Sequence, residues 1–327
     1  MGDDMPMRLP NLIVAGVGKS GTTSLFSYLA QHPNICASTK KELNYFTSRD
    51  AVTGELAPIE SYAGFFSHCA QNHAFRLEAS PSYCYGGTAV ITALRDTLRD
   101  PRIVMIIREP TSRLWSAFTY LKSMGVIAPN MTFDSYVDHC EQAYHVRRPN
   151  GSHTPLSVGF YIDWLPEWLD MFGDDCCLLF ADDLFADPRM VVQRVCEWLR
   201  LSTDSVSDLD YQVRNDTIQP RSHALAKLTF RTKDLSQRWL SGHPAVRAKF
   251  RDAYRAMNAR PLTAALKPRD RQRVAALYRE PNARLARDLS RRGYRYLPPW
   301  LGNQHQGDPG SRLGGAAADH RHDGPSQ

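Results

Sequence analysis

The amino-acid sequence predicts an α/β fold: a central parallel β-sheet flanked by helices, followed by a helical, basic C-terminal part. Three observations carry that prediction. Apolar runs of strand length alternate with amphipathic helical patterns as far as residue 200, the signature of β-α-β units. The run Arg102-Ile-Val-Met-Ile-Ile-Arg108 is apolar at every interior position, which suits a central strand buried on both faces. Beyond residue 200 the strand pattern gives way to helical periodicity rich in Lys and Arg. With 327 residues and 43% hydrophobic content the chain can build a full core, and no apolar run approaches the ~18 residues of a membrane span. We expect an N-terminal extension over 1–9, one domain over 10–300 and a disordered tail over 301–327, where large apolar residues almost vanish.

Taken in order, Leu12–Ala15 is the first buried strand, and glycines 16, 18 and 21 lead into a helix whose apolar face carries Leu25, Tyr28 and Leu29. His32-Pro33-Asn34 makes a turn before a short strand, Ile35–Ala37. Residues 50–73 are aromatic but irregular and should hold one short helix; Ala74–Glu78 is a strand. Gly86-Gly87 opens a helix with Val90, Leu94 and Leu98 on one face, and Arg102–Ile107 leads through Pro110 into another with Leu114, Trp115, Phe118 and Leu121. Helices are expected over Thr132–Tyr144 and Phe160–Phe172, with a polar loop at Arg147–Pro155 between them. In the second helix Trp164 and Trp168 are core residues rather than a ligand box. Cys177–Phe180 is the last strand, and Asp187-Pro188 is an N-cap followed by proline at the first helical position. Helices are then expected over 222–239, 244–257, 269–279 and 281–292, the last two separated at Pro281.

The stretch with chemical content is Gly16-Val-Gly-Lys-Ser-Gly-Thr-Thr-Ser24. A strand that turns through glycines into a helix start aims several backbone N–H groups at one point, where the helix dipole adds positive charge. Lys19 contributes a full charge and Ser20, Thr22 and Thr23 contribute hydroxyls. The nucleotide triphosphate loop GxxxxGK[ST] fits only at its end, because its first glycine would fall at Ile13. An ordinary glycine-rich turn is the other reading. Glu42, in Lys40-Lys41-Glu42-Leu43-Asn44-Tyr45-Phe46, is a general base if it reaches the same crevice and a solvated loop charge if it does not. Arg108 ends the strongest strand and Ser116 lies on the next helix; a guanidinium fork plus a hydroxyl suits a terminal phosphate. The alternative pairs Arg108 with Glu109 or Glu78. His153 is a lone loop histidine.

The seven cysteines, at 36, 69, 84, 140, 176, 177 and 196, show neither CxxC nor Cys/His ligand spacing. We therefore expect reduced thiols, no disulfide framework and no metal. Met1–Pro6 lacks a basic stretch followed by an apolar one, and Pro6 stands where a myristoylation signal needs Ser or Thr, so the expected location is cytoplasmic. The net charge of +6 hides an asymmetry: Pro220–Arg295 holds 20 Lys/Arg against 5 Asp/Glu. That half suits an anionic ligand, a polyanionic acceptor or peripheral contact with an acidic membrane, or it is a solvated helix face. No nucleic-acid-binding motif accompanies the charge.

Several of these stretches agree in order. Lys19-Ser-Gly-Thr-Thr23, Glu42–Phe46, Glu78-Ala-Ser-Pro81 and Ile107-Arg-Glu-Pro-Thr-Ser-Arg113 through Ser116 resemble the sulfotransferases that use 3′-phosphoadenylyl sulfate (PAPS). Within that family the chain is most similar to the branch of the heparan sulfate 3-O- and N-sulfotransferases and their bacterial relatives, over residues 10–200 and weakly through 211–225. The resemblance implies a P-loop-NTPase-like sulfotransferase fold. It implies that Gly18, Lys19, Ser20, Gly21, Thr22 and Thr23 hold the 5′-phosphosulfate and that Arg108 and Ser116 hold the 3′-phosphate. It further implies that Glu42 is the base and that Arg221 closes over the cofactor. In the glycan 3-O-enzymes a Lys stands where this chain has Ala79, and their Cys-containing C-terminal loop is not recognisable here.

Sulfuryl transfer needs in-line positioning and stabilisation of charge on the leaving oxygen, the task expected of Lys19, while Glu42 takes the acceptor's proton. The acceptor is expected to be a hydroxyl of a carbohydrate, lipid or small natural product, and the product adenosine 3′,5′-bisphosphate. Two rivals are a P-loop small-molecule kinase using Mg·ATP and a non-catalytic nucleotide- or polyanion-binding protein.

Overall fold

The computed structural model describes residues 7–48, 53–145, 154–212, 218–220, 259–261 and 265–302. The chain forms two compact units. The larger comprises Met1–Ile107, Ile162–Tyr211 and Pro281–Gln327; the smaller comprises Arg108–Tyr161 and Gln212–Glu280.

The larger unit is built on a five-stranded sheet. Its strands are β1 (Leu12–Gly16), β2 (Ile35–Ala37), β3 (Phe75–Ala79), β4 (Arg102–Ile107) and β5 (Cys176–Phe180), in the order β2-β3-β1-β4-β5. Every pairing is parallel, with Leu12 opposite Leu77 on one side and opposite Arg102 on the other. β1 and β5 are buried along their whole length, as their apolar runs require. Strand order reverses at β1, whose neighbours β3 and β4 lie on opposite sides. Ligands of open α/β sheets bind at the carboxyl ends of strands at such a point.

Helices α1 (Thr22–Leu29), α2 (Ile59–Ala63), α3 (Gly87–Thr97), α7 (Leu165–Phe172), α8 (Ala181–Ala186) and α9 (Pro188–Trp198) belong to this unit. Leu25 and Leu29 of α1 and Val191, Val192 and Val195 of α9 share one core with Leu12, Val14, Val104 and Leu179 of the sheet. The Asp187 carboxylate accepts from the Met190 N–H at 3.0 Å, the N-cap its sequence predicts. Trp168 is fully buried and its indole N–H donates to the Cys84 carbonyl at 3.1 Å, so it is a core residue.

The smaller unit holds α4 (Pro110–Ser123), α5 (Phe133–His145) and α6 (Pro155–Val158), plus an antiparallel pair, β6 (Ile218–Pro220) with β7 (Ala259–Pro261). Its core joins Leu114, Phe118, Phe133, Tyr136, Val274 and Tyr278. Gly159 is required there, because an added Cβ would fall 2.6 Å from the Tyr278 hydroxyl. Arg273 ties α10 (Pro268–Arg291) to α5 through Asp134, Asp138 and Glu141.

The short pair β6 and β7 lies outside the helices expected in the C-terminal part, and three-residue strands are too short to leave a period-2 pattern. Three expectations need correction. α10 runs through Pro281 without a break. Proline removes one donor but keeps a helical φ, and Val274 and Tyr278 in one unit and Leu285 and Leu289 in the other are buried at helical spacing. The expected helix over 160–172 divides into a 3₁₀ turn, Tyr161–Asp163, and α7, while Pro155 opens α6 instead of ending a loop. Last, Cys36 and Cys69 form a disulfide. A bridge between residues 33 apart has no local signature, and an odd total of cysteines does not forbid it. The other five cysteines are buried thiols. The helices expected over 222–239 and 244–257, and His153, lie outside the described residues, as does the tail beyond 302. No helix among the described residues is long and apolar enough to cross a membrane.

Candidate active site

The glycine turn opens at the carboxyl end of β1. A Cβ at Gly16 would lie 2.5 Å from Cys84 Cβ and 2.9 Å from its Sγ, so the strand can pass the 81–84 segment only as glycine. Gly18 faces open space, with no heavy atom within 4 Å of an added Cβ. Lys19 and Gly21 both adopt the left-handed region, at φ 72° and 89°. Gly21 is also hemmed in, because a Cβ there would approach Leu184 to 2.9 Å.

α1 begins at Thr22 with no side-chain cap and no acidic residue in its first turn. Its first N–H groups and dipole are therefore not neutralised from within the helix. Ser20 is fully buried and its hydroxyl has no hydrogen-bond partner. Lys19, an orphaned hydroxyl and an uncapped helix start at the end of a central strand fit an anionic, phosphate-like group.

Glu42 follows the edge strand β2 by five residues. Its backbone N–H donates to the Ala79 carbonyl at 2.9 Å, which brings it to the carboxyl end of β3. Glu42 and Asn44 are both left-handed, at φ 63° and 54°. The Asn44 N–H donates to Ser80 Oγ at 2.8 Å, its side-chain amide donates to the Glu42 carbonyl at 3.0 Å, and Ser82 Oγ donates to its Oδ1 at 2.6 Å. The 79–84 segment thus touches the glycine turn through Cys84 and the Glu42 turn through Ala79, Ser80 and Ser82. The Glu42 carboxylate itself is exposed and accepts from Lys41 Nζ at 2.9 Å.

Behind that turn lies Glu78, which in the sequence ends a strand and opens Glu78-Ala-Ser-Pro81. Glu78 is completely buried, with Tyr62 donating to its Oε2 at 2.9 Å and Ser80 donating to its Oε1. The Tyr83 hydroxyl faces the same carboxyl without completing a hydrogen bond. Burial pushes the Glu78 carboxyl up to about 7, although the bonds from Ser80 and Tyr62 and the charge of Lys41 pull the other way. The same burial and the neighbouring carboxylate push the Tyr62 and Tyr83 phenols up.

Arg108 and Ser116 belong to the smaller unit. Arg108 follows β4 directly, its carbonyl accepting from the Tyr161 hydroxyl at 2.7 Å. Glu109 is the N-cap of α4, accepting from the N–H groups of Thr111 at 2.9 Å and Ser112 at 2.7 Å. Burial raises the Glu109 carboxyl, but those bonds more than offset it and hold it below the usual carboxylate range. Ser116 sits half-buried mid-way along α4. The structure thus joins the glycine turn and Glu42 within one unit, while Arg108 and Ser116 lie in the other and Arg221 lies outside the described residues.

A family profile described as a sulfotransferase domain matches residues 9–243, well over half of the chain. The chain belongs to the sulfotransferase family. It is 36% identical over 114 residues to the membrane-associated sulfotransferase kil1 of Dictyostelium discoideum, covering 34% of this chain and 23% of that protein. It is 25% identical over 202 residues to the heparan sulfate glucosamine 3-O-sulfotransferase 3A1 of Mus musculus, covering 61% of this chain and 48% of that protein. The chain spans between about a fifth and a half of the length of the curated relatives it matches. A crystal structure of a sulfotransferase from Alicyclobacillus acidocaldarius shares the fold, with a TM-score of 0.62 at 21% identity, covering 90% of this chain and 99% of that one.

Two further features of this sulfotransferase-family chain bear on ligand binding. Cys36, His68 and Cys69 bring their potential ligand atoms within 4.8 Å of one another. With the two sulfurs joined, neither is a thiolate donor, so the triad offers metal ligands only after reduction. A cavity of about 760 Å³ in the larger unit is lined by Arg284, Arg287, Arg291 and Arg295 with Ser290 and Tyr294, and by none of the glycine-turn residues. It is where part of the basic C-terminal charge collects.

Proposed function

We propose that this protein is a PAPS-dependent sulfotransferase that sulfates a hydroxyl of a carbohydrate, lipid or small natural product. The glycine turn carries the reading: in a chain of the sulfotransferase family, it combines Lys19, the orphaned Ser20 hydroxyl and an uncapped helix start free of acid. Bound PAPS supplies a sulfuryl group attached to a phosphate oxygen. The backbone of Gly18–Thr23, with Lys19 and Thr22, holds the 5′ end, and Arg108 and Ser116 hold the 3′-phosphate. Arg221 closes over the nucleotide. Lys19 offsets charge on the bridging oxygen as its bond to sulfur breaks.

Glu42 accepts the proton of the acceptor hydroxyl as that oxygen bonds to sulfur, a contribution of about 10²–10⁴-fold. Its exposure suits the role, since an acceptor must reach it from solvent. The resemblance to glycan enzymes, Ala79 notwithstanding, and the arginine-lined cavity support an anionic or carbohydrate acceptor. We further propose that residues 10–300 act as one catalytic domain. A cytoplasmic location is part of the same reading and requires Cys36 and Cys69 to be thiols in the cell, because that compartment keeps thiols reduced.

The test is turnover. Release of adenosine 3′,5′-bisphosphate from PAPS, measured with a panel of sugar, lipid and phenol acceptors, should depend on Glu42 and Arg108 in different ways. Glu42→Gln should lower kcat with nucleotide affinity near wild type, and Arg108→Ala should weaken nucleotide binding. Normal turnover in Glu42→Gln would remove it as the base.

A further inference from the structure

A fully buried carboxyl beside a catalytic turn, tied to it by short polar links, calls for an account of its own. Glu78 pairs with Ile13 in the sheet, is capped by Tyr62 from α2 and Tyr83 from the turn after β3, and reaches the Glu42 segment through Ser80 and the charge of Lys41. Phe46 and Phe66 pack edge-on against Tyr62, and Tyr45 stacks on it with ring centroids 4.3 Å apart, which keeps water from the carboxyl. The titratable and charged groups that face it are Tyr62, Tyr83 and Lys41.

We propose that Glu78 is a positioning residue that fixes, through Ser80 and Ala79, the strained turn carrying Glu42. The proposal rests on the reading of Glu42 as the base. Ser80 has one hydroxyl proton. While Glu78 is ionised, that proton goes to Oε1, and the Ser80 oxygen is left aimed as an acceptor at the Asn44 N–H, 2.8 Å away. The neighbouring Ala79 carbonyl takes the Glu42 N–H. Three consecutive residues, Glu78-Ala79-Ser80, therefore hold two left-handed non-glycine residues, Glu42 and Asn44, that would relax if released. A protonated Glu78 has a donor of its own, which competes for Ser80 Oγ or Tyr62 Oη. With the proton on Oε1 the Ser80 hydroxyl loses the acceptor that orients it, and the hold on Asn44 loosens. Since burial lifts the Glu78 carboxyl to about 7, the hold is present on the alkaline side of neutrality and lost as pH falls through that value.

Amide hydrogen exchange of residues 42–47, normalised to intrinsic rates and to the peptide covering β4, tests the placement without any acceptor. Wild-type protection should fall as pH drops through about 7, and Glu78→Gln, which cannot titrate, should show weaker protection that no longer varies with pH. With PAPS and an alkyl glucoside, whose hydroxyls do not ionise near neutrality, the kcat profile should lose its inflection near neutrality in Glu78→Gln. KM and affinity for adenosine 3′,5′-bisphosphate should stay within about twofold. Should glutamine at 78 prevent folding, Ser80→Ala serves instead: it removes the oxygen that accepts the Asn44 N–H, so protection of 42–47 should be weaker than in wild type and should no longer vary with pH. Protection of 42–47 that is independent of pH in wild type, or unchanged in both variants, would overturn the proposal. Failure of the base reading is separable, because it shows as normal turnover in Glu42→Gln while the exchange arm still reads the Glu78 link.

Discussion

Gly16→Ala is the substitution whose consequence the structure states most directly. The added methyl would sit 2.5 Å from Cys84 Cβ and 2.9 Å from Cys84 Sγ, far inside van der Waals contact. Neither partner can swing away: Gly16 ends a fully buried central strand, and Cys84 is buried with its thiol donating to the Pro81 carbonyl at 3.1 Å and its own carbonyl held by Trp168. Overpacking of this kind costs about 1–3 kcal/mol, or a fall in Tm of about 2–6 °C at ~2 °C per kcal/mol in a chain of this size. The shift must be taken up by the glycine turn or by the 81–84 segment, so nucleotide affinity should fall as well. The control is Cys84→Gly, which removes both clashing atoms. In a double-mutant cycle followed by thermal unfolding and by calorimetry, Gly16→Ala and Cys84→Gly should couple by about 1 kcal/mol or more in the favourable direction. Simple additivity would refute the packing argument for Gly16.

Two further predictions concern buried chemistry. Unfolded without reductant, the purified protein should titrate five thiols, and seven after reduction, since Cys36 and Cys69 are joined in one bridge; seven without reductant would show that the bridge does not form. Glu78 should make stability fall as pH rises. Its carboxyl is raised from 4.5 to about 7 in the folded chain, so its contribution is complete below 4.5 and lost as pH climbs through about 7. That amounts to roughly 3 kcal/mol across the window, read as the stability difference between wild type and Glu78→Gln at pH 5 and pH 8; a difference that does not shrink with pH would contradict the burial argument.

The parts legible in the sequence are those governed by local rules. β1, β4 and β5 announce themselves as apolar runs, and α9 by Asp187-Pro188. The glycine turn is legible because a strand, glycines and a helix start stand in immediate succession. What stayed hidden depends on partners far away in sequence. Cys36 meets Cys69 because β2 and the turn after α2 flank the same edge of the sheet, and no periodicity records that. Glu78 reads in the sequence as a strand-end acid, and only folding surrounds it with Tyr62, Tyr83 and Ser80. Pro281 reads as a stop, yet burial of Leu285 and Leu289 beyond it sustains α10. Glu42 lay at the right distance from the glycine turn for a second strand end. Its left-handed backbone, by contrast, has no signature in Lys40-Lys41-Glu42-Leu43.

In the function proposed above, the turn from Gly16 to Ser24 binds the 5′ end, and Arg108 and Ser116 the 3′-phosphate, of a nucleotide phosphorylated at both positions. Isothermal calorimetry with adenosine 3′,5′-bisphosphate, and separately with Mg·ATP, tests it most directly. The expected result is saturable binding of the bisphosphate without metal, abolished by Lys19→Ala and weakened by Arg108→Ala. Tight binding of Mg·ATP with none of the bisphosphate would contradict it.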